Sequence, residues 1–243
     1  FFGEIYHAGQ DGVVLTVTLN QSEQEQLSQF LEVFLRKTKS DTIVNASKIV
    51  ADTTTFDKIY KELKTLIDNN ATENSIGKFL RNKIYLIDSK YVKTIPELNV
   101  VLASARKPDF ALIDYNHYID IFEIKRPDTK ILYHKQDRNN YFFHPDLVKA
   151  ITQAEKYLFH AERKAANLVD EIPFEKGHNF QNLEFVRPSV YLLSGHSKQL
   201  TNIAMKRDFQ ILRKSLKNIE IILYDEILER LKLQKKRFTK SSS

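Results

Sequence analysis

The sequence predicts a mixed α+β protein, with helices packed on a sheet in the manner of an α/β sandwich. Apolar residues recur at helical spacing in six stretches. Short runs rich in Ile, Val, Leu, Phe and Tyr stand between them, often bounded by Gly, Pro, Asn or Asp. The 243 residues are 42% hydrophobic and 11% aromatic, enough to build a sizeable core.

The elements follow in order. Residues 4–18 read as strand, turn and strand, with Gly9-Gln10-Asp11-Gly12 as the turn of a hairpin. Ser22 and Glu25 form a capping box ahead of a helix that carries Leu27, Phe30, Leu31, Phe34 and Leu35. A second helix carries Phe56, Tyr60, Leu63, Leu66 and Ile67 and runs out at Asp68-Asn69-Asn70. This divides the chain into a small N-terminal α+β unit over residues 1–70, without a chemical motif, and a larger domain over residues 71–243. In the larger domain a helix starts near Thr72 or Glu73 and carries Ile76, Phe79, Leu80, Ile84 and Ile87. A strand is expected at Leu98–Ala103, then a strand-turn-strand unit over Asp109–Lys125. Pro145 suits the first turn of a long helix over 145–169. Strand 190–193, helix 201–217, strand 219–223 and helix 225–236 close the chain.

Composition removes several function classes. Without Cys there are no disulfides, no thiolate metal sites and no Cys nucleophile. No apolar run reaches the length of a membrane span, and no signal peptide is visible. No Gly-x-Ser-x-Gly elbow exists, and none of the six glycines forms a phosphate-cradling loop, so neither a serine hydrolase nor a nucleotide cofactor is expected. The chain opens Phe1-Phe2-Gly3 and its single Met is Met205, which predicts a piece of a longer protein. The net charge of +6 lies in the tail: residues 230–243 hold six basic residues and no acid, and the remainder is neutral. Such a charge permits nucleic-acid binding without identifying it.

The chemistry lies in Asp109–Lys125. A hairpin centred on Asn116 places Ile113 opposite Ile119, Ala111 opposite Ile121 and Asp109 opposite Glu123. Directly opposed carboxylates repel and need a cation between them or a shared proton. Both are hard oxygen ligands suited to Mg²⁺ or Mn²⁺. Lys125 falls on the same face by period two. Two acids and an ammonium around a divalent ion can hydrolyse a phosphodiester. The competing reading is a solvated hairpin end with ordinary charges. Glu73 either complements its helix dipole or adds a further carboxylate. Gln153 and Tyr157 share a helix face by their i, i+4 spacing, as a polar edge or as a pair near the metal or the DNA backbone. Arg126 follows Lys125 as a candidate for the nucleic-acid margin.

These residues resemble the PD-(D/E)xK nuclease superfamily. Pro108-Asp109 is similar to the first half of its motif, and Glu123-Ile124-Lys125 to the second. Gln153-Ala-Glu-Lys-Tyr157 resembles a QxxxY element of that superfamily. The order of elements is similar to its αβββαβ restriction-endonuclease-like core. More narrowly, the chain from Glu73 onward resembles the nuclease domain of the Shedu family of bacterial anti-phage defence effectors. PDFALI, FEIKRPD, AITQAEKYL, YLLSGHS, Arg207-Asp-Phe and IEIILYDEIL carry that likeness. It departs at Leu223, where the pattern has Thr. The resemblance implies a cytoplasmic, homo-oligomeric, metal-dependent endonuclease acting on double-stranded DNA, with Asp109, Glu123 and the Ile124 carbonyl on Mg²⁺, Glu73 assisting, and Lys125 catalytic. A catalytically silent DNA-binding or scaffold module on the same fold is the alternative.

Overall fold

A computed structural model describes residues 8–9, 12–13, 53–84, 88–96, 107–170 and 183–240. The architecture is mixed α+β. The chain falls into two compact units: residues 1–62 with 229–243, and residues 63–228.

Unit one contains the short strands β1 (Ala8–Gly9) and β2 (Gly12–Val13), which pair antiparallel with Gly9 opposite Gly12, as the turn residues predicted. The capped helix expected over Leu27–Leu35 lies outside the described residues. Helix α1 (Thr53–Asp68) ends where its apolar pattern ends; within unit one it buries Phe56 and Ile59.

Unit two is built on one five-stranded sheet in the order β3-β4-β5-β6-β7. Helix α2 (Glu73–Arg81) opens on Thr72, whose side chain accepts the Ser75 amide. It is shorter than expected: the helix stops at Arg81 with Asn82 as its C-cap, although Ile84 is still buried. Strand β3 (Tyr91–Pro96) was not legible in the sequence. A register shift between Tyr91 and Lys93 breaks its alternation, and its terminal Pro is tolerated because the strand lies at the sheet edge. The strand expected at Leu98–Ala103 lies outside the described residues.

Strands β4 (Phe110–Asp114) and β5 (Ile119–Ile124) form the expected antiparallel hairpin. Helix α3 (Pro145–Asp170) crosses to β6 (Val190–Leu193), which pairs parallel to β5. Helix α4 (Ile203–Ser215) leads to β7 (Ile219–Ile222), parallel to β6, and α5 (Tyr224–Lys240) follows. From α2 to β6 the order is therefore α-β-β-β-α-β. Among the described residues no helix is long and apolar enough to cross a membrane.

The sheet's alternation sorts its side chains. Ala111, Ile113, Ile119, Ile121, Val190 and Leu192 share a core with Leu147, Ala150, Ala154 and Tyr157 of α3 and Phe209 of α4. The opposite face carries an aromatic stack in which the Phe110 and Phe122 rings lie 4.8 Å apart. There Gly77 of α2 approaches Ile124, where an added Cβ would sit 3.5 Å from its Cδ1.

The three parallel strands end at one edge of the sheet, and the turn after β6 is tight. Gly195 has φ +66°, and a Cβ there would meet Ile131 Cγ2 at 2.4 Å and the Thr129 carbonyl oxygen at 2.9 Å. Gly195→Ala is therefore expected to cost roughly 1–3 kcal/mol from the left-handed backbone alone. The clash adds to this. Urea denaturation of the two proteins checks it.

Candidate active site

The site begins with a turn. Asp114 Oδ1 accepts the amides of Asn116 (2.8 Å) and Tyr118 (2.9 Å), and His117 takes φ +69°. This closes the loop around Asn116 and sets the register: Ile113 faces Ile119, Ala111 faces Ile121 and Phe110 faces Phe122. A slip of one residue would put every side chain on the wrong face. Asp109 comes next in that series, immediately before β4, at the level of Glu123.

The two acids are held differently. Asp109 Oδ2 accepts the Ile124 amide at 2.7 Å. Glu123 is 2% exposed, and its Oε1 accepts the Lys125 ammonium at 2.6 Å. Its Oε2 is buried with no hydrogen-bond partner among the described residues. Burial drives the Glu123 carboxyl up to about 7 against the pull of Lys125, with the charges of Asp109 and Glu73 adding to the rise. Burial also raises Asp109, opposed by the Ile124 amide and the Lys125 charge.

Glu73, in the first turn of α2, lies close enough for its charge to act on Asp109, Glu123 and Tyr224. Gln153 donates to the Tyr157 hydroxyl on the face of α3 that packs over Ala111 and Ile121. Arg126 points elsewhere: it is exposed and reaches the Asn70 carbonyl and Asp128. The structure thus gathers Asp109, Glu123, Lys125 and Glu73 electrostatically, places the Gln153/Tyr157 pair on the covering helix and leaves Arg126 outside.

Two further residues join the site. Arg81 lowers the Asp109 carboxyl through its charge. Tyr224 is fully buried and donates its hydroxyl to the Lys125 carbonyl at 2.6 Å. Burial raises the Tyr224 phenol, and the charges of Glu73 and Asp109 raise it further. In the sequence nothing singles out Tyr224; only the common end of β5, β6 and β7 brings it to Lys125. Tyr224→Phe should cost roughly 1–3 kcal/mol by stranding that carbonyl. Chemical denaturation measures it.

Among the described residues no group of three or more His, Cys, Asp and Glu side chains is placed to hold a metal ion. A cation here would rest on two carboxylates and the main chain. The donors fit that use. A buried carboxylate oxygen without a partner is costly, and a hard cation satisfies it.

Fold and site together define a mixed α+β domain with an acid–acid–lysine constellation at the end of its parallel strands. Residues 70–228, more than half of the chain, match the family model described as Shedu protein SduA, C-terminal. The chain belongs to the Shedu family. It is similar to the Shedu protein SduA of Bacillus cereus (strain B4264), at 23% identity over an alignment 256 positions long that covers 94% of this chain. The match spans 65% of that relative's length.

Proposed function

We propose that this protein is a metal-dependent DNA endonuclease that hydrolyses phosphodiester bonds in defence against phage. The observation that carries the reading is Asp109, Glu123 and Lys125 at one strand end, with Glu123 Oε2 buried and unpaired. The α-β-β-β-α-β order supports it. The defence role and assembly as a homo-oligomer rest on membership of the Shedu family.

Asp109 and Glu123, with the Ile124 carbonyl, would hold Mg²⁺ or Mn²⁺; bound there, such an ion polarises a phosphoryl oxygen and lowers the pKa of a bound water. Lys125 brings a positive charge to the same face, where it offsets charge developing on the phosphoryl oxygens. Tyr224 fixes the Lys125 main chain and so the direction from which the ammonium enters. Glu73 adds negative potential that favours a cation. Gln153 and Tyr157 form the margin, and exposed Arg126 meets the double-stranded DNA backbone outside it.

Supercoiled plasmid incubated with Mg²⁺ or Mn²⁺ tests this. The expected result is cleavage that EDTA stops and that Asp109→Ala removes along with cation binding, because one carboxylate holds the ion poorly. Cleavage that persists in EDTA, or that Asp109→Ala leaves undiminished, overturns the proposal. Salt-sensitive DNA binding without cleavage would point instead to a silent binding module.

A further inference from the structure

Among the described residues two buried side-chain polar atoms have no hydrogen-bond partner, Glu123 Oε2 and Ser194 Oγ. They sit on neighbouring strands. In the parallel β5–β6 ladder Glu123 is level with Leu192, and Ile124 with Leu193. The ladder continues past both strand ends: the Lys125 amide donates to the Leu193 carbonyl at 2.7 Å, and the Ser194 amide to the Ile222 carbonyl at 3.0 Å. Level positions on neighbouring strands point to one face. Ser194 therefore stands beside Lys125, on the face of Glu123. Val190 and Leu192, which precede Ser194 at period two, share their core with Ile121.

A buried hydroxyl with no partner costs roughly 1–3 kcal/mol, and Ala would pack at this fully buried position without that cost. The neighbouring ammonium explains its presence. Lys125 has three donors, and its ammonium donates to Glu123 Oε1 at 2.6 Å. A divalent cation on the unpaired Oε2 repels the ammonium held on Oε1 of the same carboxylate, which drives Lys125 toward another acceptor. We propose that Ser194 is a positioning residue whose hydroxyl receives the Lys125 ammonium when Glu123 takes up a divalent cation. This rests on the metal-dependent reading above.

The test uses the full chain and Mn²⁺ alone, without DNA. By titration calorimetry Ser194→Ala should bind Mn²⁺ about 10- to 100-fold more weakly than wild type, the range for residues behind a metal's own ligands. In a Lys125→Ala background the same substitution should change nothing, since the ammonium it serves is gone. Without metal, Ser194→Ala should melt at the same temperature or higher. Equal Mn²⁺ affinity overturns this proposal alone, as does a loss that persists without Lys125, or a lowered metal-free melting temperature. A wild-type chain that binds no Mn²⁺ overturns this proposal and the metal-dependent reading together.

Discussion

Lys125→Ala is expected to lower plasmid cleavage by at least about 10²-fold while leaving the fold in place. Among the described residues the ammonium is the one cation in hydrogen-bond contact with the buried Glu123, and it lies on the face of both acids. Its side chain is 20% exposed, so truncation opens the site to water rather than emptying the core. Glu123→Gln should give a comparable loss by a different route. The amide keeps the shape of the side chain but offers one neutral acceptor oxygen to a cation that needs charge. The two variants separate in binding. Lys125→Ala removes the competitor for Glu123 and should bind Mn²⁺ at least as tightly as wild type, whereas Glu123→Gln should bind it far more weakly. Far-UV circular dichroism and thermal melting report the fold, and quantified conversion of supercoiled plasmid reports activity. Undiminished metal-dependent cleavage by both variants would remove the site from the chemistry.

The hairpin was the most legible part of this molecule because its information is local. Asp114, Asn116 and His117 specify the turn, the turn specifies the register, and the register places Asp109 at the level of Glu123. Helices α1 and α3 were legible for a similar reason: each carries an apolar stripe at helical spacing, ended in α1 at Asp68-Asn69-Asn70 and opened in α3 by Pro145. Strand β3 failed that test, since its bulge leaves Val92, Lys93 and Thr94 half-buried and spoils the two-residue period. The apolar residues of α2 misled in the opposite way. Ile84 continues the helical spacing and is buried, but by the tertiary packing of residues beyond the helix end. Tyr224 and Ser194 lie 99 and 69 positions from Lys125, and nothing local marks either residue as part of a site. Their placement follows from two parallel crossovers that bring three strand ends to one edge.

In the absence of divalent cations this protein is expected to lose stability as pH rises from about 4.5 to about 7, opposite to ordinary acid denaturation. Glu123 has an ordinary carboxyl value of 4.5 in the unfolded chain and about 7 in the fold, because burial penalises its anion more than Lys125 rewards it. Between those values the folded protein holds a proton that the unfolded chain has released, so each step up in pH favours unfolding. The contribution is complete below 4.5 and gone above 7, and amounts to about 3 kcal/mol. Asp109, raised in the same direction by burial, adds to the trend. Denaturant melts in EDTA across this range, compared with Glu123→Gln, isolate the group: the wild-type profile should fall and that of the variant should be flatter. Two parallel profiles would show that Glu123 titrates as it does in the unfolded chain. Adding Mg²⁺ at pH 8 should restore much of the loss in the wild type and little in the variant, since a ligand that binds only the native state stabilises it by mass action. The cation and the proton then compete for one buried carboxylate, so Mg²⁺ should bind more tightly at pH 8 than at pH 6.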